Sequence, residues 1–328
     1  MGDNSGISWT NATWNPVSGC TKLTPECTHC YAERDWHRLT HLAAYAGREF
    51  TDVACHEDRL DQPIRWKRPR LIFVCSMSDL FHDDVPDDFI DQVFAVMALS
   101  PQHTFQVLTK RAERMQRYLS DDHRASYVEG RAERMARGRG APIPEGKYLK
   151  WPLAHVWVGV TAGTQATANE RIPLLMKTPA AKHWVSMEPL LGPVDLLATP
   201  AGDILCRCDG CIEMTPETRL DWVVVGGESG PKARPMHSAW VKALRDQCVT
   251  NHVTFFFKQW GEWIPGRDAT NDQLNNPRVR GGWVSLAGGF HDGNNAAAFL
   301  EGDENVLRVG RKSAGECIEG VEYKEMPC

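Results

Sequence analysis

Three cysteines, Cys20, Cys27 and Cys30, fall within eleven residues of the stretch GCTKLTPECTHCYAER. Thiolates hold zinc and iron–sulfur clusters, so this density points to metal chemistry first. The spacing is C-x6-C-x2-C, with no fourth cysteine at short range. A structural zinc site or a four-cysteine cluster wants four protein ligands, so three thiolates alone suit a metal centre with one open position. Two other uses stay open on the residues themselves: zinc completed by His29, His37 or a distant ligand, and three reduced thiols without metal. A second group, Cys206, Cys208 and Cys211 in LCRCDGC, has the spacing C-x-C-x2-C. With Cys248, Cys317, Cys328 or a histidine it can hold zinc or an auxiliary cluster; unliganded thiols are the plain alternative.

The chain that must position these groups has 328 residues, 42% of them hydrophobic. That is enough for one large single-core architecture or two smaller domains. The N-terminus MGDNSGISWT has neither a basic nor an apolar leader region, and no run approaches the roughly eighteen apolar residues that cross a bilayer. The expectation is a cytoplasmic protein with no membrane partner. An odd total of eleven cysteines is poorly explained as a disulfide framework in a reducing compartment. The net charge of −5 gives no global attraction to nucleic acid. Local patches can form at Arg65-Trp66-Lys67-Arg68-Pro69-Arg70 and at RAERMARGRG, although a solvated face is the plainer reading of each. Twelve tryptophans fit a stacking surface or a large core.

Short β-branched or aromatic runs alternate with helical stretches. LIFVCSMSD, TFQVLTK, HVWVGVTA, KHWVSMEP, LDWVVVGGESG and VTFFFKQWGEW each read as a buried strand running into a polar loop. DDFIDQVFAVMAL, the short NERIPLLMKT, and SAWVKALRDQCVT with Ser238 as its N-cap read as helices. With a first strand near Ile7 to Thr10, this makes about seven β/α units and a parallel sheet. Ser78 and Asp79, Thr109 and Lys110, Thr161, Glu188, Gly227 and Glu228, and Gln259 and Glu262 all fall at strand C-terminal ends. A barrel gathers such ends round one mouth, so the expected fold is an α/β (β/α) TIM-type barrel or partial barrel over residues 1–265. A Cys-bearing insertion is expected at about 198–218, and a loose C-terminal appendage over 266–328. Residues from about 120 to 150 read as a helix and an irregular excursion.

NPVSGC…C…CYAER, from Asn15 to Arg34, resembles the cluster loop of radical S-adenosylmethionine enzymes of the spore photoproduct lyase-like branch. That branch has a first gap of three residues; here TKLTPE makes it six. VLTKRAERM is similar to its third-strand Thr-Lys motif, SMSDLF to its second-strand turn, and MEPLLGPVD to its fifth-strand loop. Taken whole, from Ile7 to about Trp263, the chain resembles a phage and bacterial family named for phage proteins Gp37 and Gp68. The phrases that carry this are ISWTNATWNPVSGC, RWKRPRLIFVCSMSDLFHDDVP, RIPLLMKTPAA, VSMEPLLGPVDL, DWVVVGGESGPKARPMH and FFFKQWGEW.

The resemblance implies a [4Fe–4S] cluster on Cys20, Cys27 and Cys30, its fourth iron left for S-adenosylmethionine, and reductive cleavage to a 5′-deoxyadenosyl radical that takes hydrogen from a substrate. It also implies an electron donor such as flavodoxin or ferredoxin. His29 precedes the third cysteine, where an aromatic commonly packs on adenine, and Lys110 is placed to pair with the methionyl carboxylate. Thr161 or Glu188 is expected at the ribose or amino group, and Ser78 with the cofactor. Glu228, Asp79 and Glu188 are expected on the catalytic side, in a polar ring with His82, Lys258, Gln259 and Glu262. The substrate is expected to be polar, with a nucleotide or a nucleic-acid base favoured by analogy. Two other classes remain: a zinc-containing nucleic-acid-binding or nuclease-like protein without radical chemistry, and an interaction protein on a decayed barrel.

Overall fold

The computed structural model describes residues 5–42, 45–139, 149–202, 204–205, 219–293 and 301–327. Its largest sheet has seven strands: β1 (Ala12–Trp14), β2 (Leu71–Val74), β3 (Thr104–Thr109), β4 (Val156–Thr161), β5 (Lys182–Met187), β6 (Trp222–Gly226) and β7 (Thr254–Gln259). They are parallel and lie in strict chain order. Such an order contains no reversal, so the sheet lacks the topological switch point of a doubly wound fold. β4 and β6 are buried along their whole length, which is why VWVGVT and WVVVG read as continuous apolar runs rather than alternating ones.

Parallel pairing needs crossovers, and helices supply them. α1 (Tyr31–Trp36) follows β1, α2 (Asp87–Ala98) follows β2, and α3 (Ala112–Leu119) and α4 (Arg124–Gly138) follow β3. α5 (Gln165–Met176) follows β4 and α6 (Ser238–Thr250) follows β6. No helix among the described residues is long and apolar enough to cross a membrane.

The chain divides into two compact units, one of Met1–Leu23, Ala32–Val160 and Leu174–His183, the other of Thr24–Tyr31, Thr161–Pro173 and Trp184–Cys328. In the first, α2, α3 and α4 are tied by a buried polar knot. Asp91 accepts from Tyr118 Oη at 2.7 Å and from Arg124 at 2.8 Å, and the guanidinium lies 3.9 Å from the Tyr118 ring centre. In the second, Trp184 and Trp222 pack at 5.3 Å. A four-stranded antiparallel sheet there has the order β8 (Trp263–Pro265), β11 (Glu304–Arg308), β9 (Arg280–Val284), β10 (Phe290–Asp292). The last residues return to β7: Phe257 N donates to Tyr323 O at 2.8 Å, and Phe256 bridges Lys324.

Four expectations change. ISWT is a turn, closed by Ser5 N to Asn11 O and Thr10 N to Ile7 O, and the first strand begins at Ala12. α6 is capped by His237, whose Nδ1 accepts from Ala239 N, because the Ser238 hydroxyl is committed to Glu304 Oε1. The helix read as short at NERIPLLMKT runs from Gln165, and its Pro173 is tolerated inside it. The stretch after 266, read as loose, forms strands that pair with one another and with β8. The insertion cysteines Cys206, Cys208 and Cys211 lie outside the described residues.

Nine of the twelve tryptophans are buried and the other three half-buried, so they build core rather than an open stacking face. Apart from the buried Arg124, Arg131 and Arg137 of α4 and Arg139 just past its end are used nearer the surface: Arg131 pairs with Asp88, Arg137 with Glu133 and Arg139 with Asp61. Arg65 pairs with Asp61, and Arg70 lies over Trp66. That run enters β2 at its N-terminal end.

Arg124→Ala leaves Asp91 buried without its guanidinium. Removing one partner of a buried pair costs about 3–5 kcal/mol, and urea unfolding of the variant against the unmodified chain measures it.

Candidate functional site

In the first unit the approach to Cys20 is held at every step. Asn15 is buried, and its Oδ1 accepts from Ser76 Oγ and Met77 N, both at 3.2 Å. Val17–Ser18 pairs with Ala54–Cys55, and the Val17 carbonyl also accepts from Ser78 Oγ at 2.8 Å. The Ser18 hydroxyl meets His56 Nε2 at 2.6 Å, both side chains being buried. Gly19 has φ +87°, and a Cβ there would lie 2.4 Å from Asp52 O, so only glycine turns the chain into Cys20. Cys20 N then donates to Phe50 O.

Asp79 follows β2 and organises the next turn. Its Oδ1 accepts from Thr109 Oγ1 at 2.7 Å and Phe81 N at 3.0 Å; its Oδ2 accepts from Lys110 N at 3.1 Å and Arg111 NH1 at 3.2 Å. Arg111 also reaches Cys20 Sγ at 3.7 Å, Thr21 Oγ1 at 2.9 Å and Thr21 O at 3.3 Å. His82 Nδ1 accepts from Asp84 N, so its Nε2 carries the proton and donates to Thr21 Oγ1 at 2.8 Å. Burial, then the Arg111 charge, lowers the His82 pKa. The Lys110 ammonium forms no ion pair among the described residues. Burial pushes the Cys75 thiol up to about 12, so it stays neutral.

In the second unit the chain through Thr24–Tyr31 makes a turn at Pro25–Cys27, and Cys30 N donates to Cys27 O at 3.3 Å. Glu26 is buried, its Oε1 accepting from Gly163 N at 3.0 Å and Thr167 Oγ1 at 2.6 Å. Burial alone would raise its pKa, but hydrogen bonds from Thr167, Thr24 and Gly163 outweigh that and hold the carboxyl below its ordinary value. Arg171, buried beside it, donates to Thr161 O at 2.7 Å and Thr24 Oγ1 at 3.1 Å. A Cβ on Gly163 would sit 2.1 Å from Pro189 O, so no larger residue fits that approach.

Beyond β6, both Glu228 oxygens accept from Arg234: Oε1 from NH2 at 2.7 Å, Oε2 from the backbone N at 2.8 Å and Nε at 2.9 Å. Arg234 NH2 donates as well to Pro25 O at 2.9 Å. Glu188, after β5, receives Lys258 Nζ at 2.7 and 2.8 Å. Gln259 donates to Ser229 Oγ, and Glu262 accepts from Gly230 N.

The predicted residues therefore separate by use. Ser78, Asp79 and Glu228 spend their polar atoms bracing the loops beside them, and Thr161, almost wholly buried, lends its carbonyl to Arg171. Cys20, Cys27, Cys30, His29 and Lys110 are half-buried, and Glu188 and Lys258 form a half-buried pair. Cys20, Cys27 and Cys30 lie outside any disulfide. Among the described residues no three His, Cys, Asp or Glu side chains are gathered as a ready metal cage. The donor types fit a thiolate-bound cluster: three half-buried cysteines outside any disulfide, Cys20 with a guanidinium N–H at 3.7 Å. Sequence reading missed Arg111, Arg171, Arg234, Glu26 and His56. Glu26 lies inside the unusual gap TKLTPE, and that placement was the available signal.

A family model described as "Protein of unknown function (DUF5131)" matches residues 4–327. No curated protein and no solved structure matches the chain.

His56 gives the site a pH signature. Burial, then the charge of Arg59, lowers its pKa from 6.5 to about 4. The unfolded chain takes up this proton near 6.5, whereas the folded chain resists it. The stabilisation is thus complete above 6.5 and is lost as pH falls toward about 4, on the order of 3 kcal/mol. Denaturant unfolding across that window should show the loss, and His56→Gln should flatten it.

Proposed function

Because the chain belongs to the DUF5131 family, whose description names no activity, we propose its function from the site: a radical S-adenosylmethionine enzyme on a partial (β/α) barrel, acting on a polar substrate. The observation that carries this reading is a run of three half-buried cysteines on a heavily braced loop. Cys20, Cys27 and Cys30 are half-exposed on a loop braced by Asn15, Arg111, Arg171, Glu26 and Arg234. Cys75 and Cys248 are buried, and burial raises their thiol pKa values; Cys55 and Cys317 are half-buried, but each stands singly in the sequence. Bracing a loop so heavily, yet leaving its thiols accessible, suits ligands and not filler.

In this reading Cys20, Cys27 and Cys30 hold a [4Fe–4S] cluster. When bound, the cluster supplies an open iron for S-adenosylmethionine and the electron that cleaves its sulfonium. Lys110 pairs with the methionyl carboxylate, which suits an ammonium that has no ion pair among the described residues. His29 packs on the adenine. Glu188 and Lys258 contact the substrate, for which a nucleotide or nucleic-acid base is the favoured class. Asp79, Ser78, Thr161 and Glu228 position loops. A flavodoxin or ferredoxin in a reducing cytoplasm supplies the electron. The resemblance to the Gp37/Gp68 family supports a phage-related setting.

The chain is tested by anaerobic reconstitution with iron and sulfide, followed by S-adenosylmethionine, dithionite and chromatography for 5′-deoxyadenosine. Product is expected from the unmodified chain, with loss of both cluster absorbance and product in Cys27→Ala. A fully loaded cluster that gives no product would sink the reading, as would an unchanged spectrum in Cys27→Ala. Stoichiometric zinc in place of iron would favour the zinc-containing alternative.

A further inference from the structure

We infer that Arg111 is a positioning residue for Cys20 that tunes the reduction potential of the cluster proposed above, a step that rests on that reading. Its guanidinium is buried and cannot swing away. Arg111 N donates to Thr109 Oγ1 at 2.8 Å, while NH1 is held by Asp79 at 3.2 Å and NH2 by Thr21 Oγ1 at 2.9 Å. Asp79 is itself fixed by Thr109, Phe81 and Lys110. The planar fork is therefore aimed, and one of its N–H groups faces Cys20 Sγ at 3.7 Å.

A ligand sulfur gains negative charge when its cluster is reduced. An N–H donor and a nearby positive charge stabilise that extra charge, so hydrogen bonds to cluster sulfurs raise the potential. Asp79 offsets part of the net charge of Arg111, but the N–H pointing at sulfur remains, and burial weakens its screening. Lysine in its place keeps the charge without the fork. Glutamine keeps donors without charge, and methionine keeps neither.

The experiment reconstitutes the full chain and its Arg111→Lys, Arg111→Gln and Arg111→Met variants anaerobically with iron and sulfide. It measures iron content, circular dichroism and the midpoint potential by a dithionite titration followed by electron paramagnetic resonance. The midpoint is expected to fall in the order unmodified chain, Lys or Gln variant, Met variant. The full step is a roughly tenfold fall in the reduced-to-oxidised ratio at fixed poise, or about 59 mV for one electron. A folded, loaded Met variant with an unchanged midpoint overturns the inference while leaving the cluster reading intact. Collapse of all three variants overturns it too, since Arg111 would then serve the fold alone. Failure of the unmodified chain to take up iron overturns the cluster reading itself.

Discussion

A carboxylate stays buried only where donors replace the water it has lost, and Glu26 sets that condition for the loop that carries the cysteines. Gly163 N and Thr167 Oγ1 supply the donors, and Arg171 stands beside them with its own fork spent on Thr161 O and Thr24 Oγ1. The Glu26 side chain cannot leave without stranding those groups. Its neighbours Pro25 and Cys27 thereby inherit a fixed backbone. Four of the six gap residues are held: Thr21 by Arg111, Thr24 by Arg171, Pro25 O by Arg234 and Glu26 by buried donors, while Lys22 and Leu23 are exposed.

The same economy recurs at the strand ends. A parallel sheet delivers backbone groups to its C-terminal edge with no partner strand beyond, and polar side chains there must first satisfy the turns. Asp79 caps two backbone N–H groups and a threonine before it touches Arg111. Glu228 is saturated by Arg234. Among the described residues the Lys110 ammonium is not drawn into this bracing. Position at a strand end nominates a residue; its hydrogen bonds show which turn it supports.

Much of this architecture could be read from the chain, and the reasons differ by element. The six later strands were visible because burial on both sheet faces leaves unbroken runs such as WVVVG, which no helix period explains. The first strand was misplaced because ISWT has strand composition, but Thr10 Oγ1 binds Leu71 O and holds the segment as a turn. The cysteines stood out by type, and Asn15 only through the resemblance of NPVSGC to a cluster loop. Arg111, Arg171 and Arg234 did not, since each is one arginine among many until long-range contacts single it out; Arg171 meets Thr24 across 147 positions of sequence. Local pattern finds strands and turns. It does not find which distant carbonyl a guanidinium will serve.

The final strand β7 sits at one side of the seven-stranded sheet and would present a row of open N–H and C=O groups. Tyr323 and Lys324 cover part of that row, and Lys324 Nζ adds bonds to the carbonyls of Phe257 and Lys258. Those residues thereby occupy backbone groups that a further strand would otherwise pair with. A chain cut before Tyr323 would offer the TFFFKQ strand to any second copy, so the loss would appear first as aggregation.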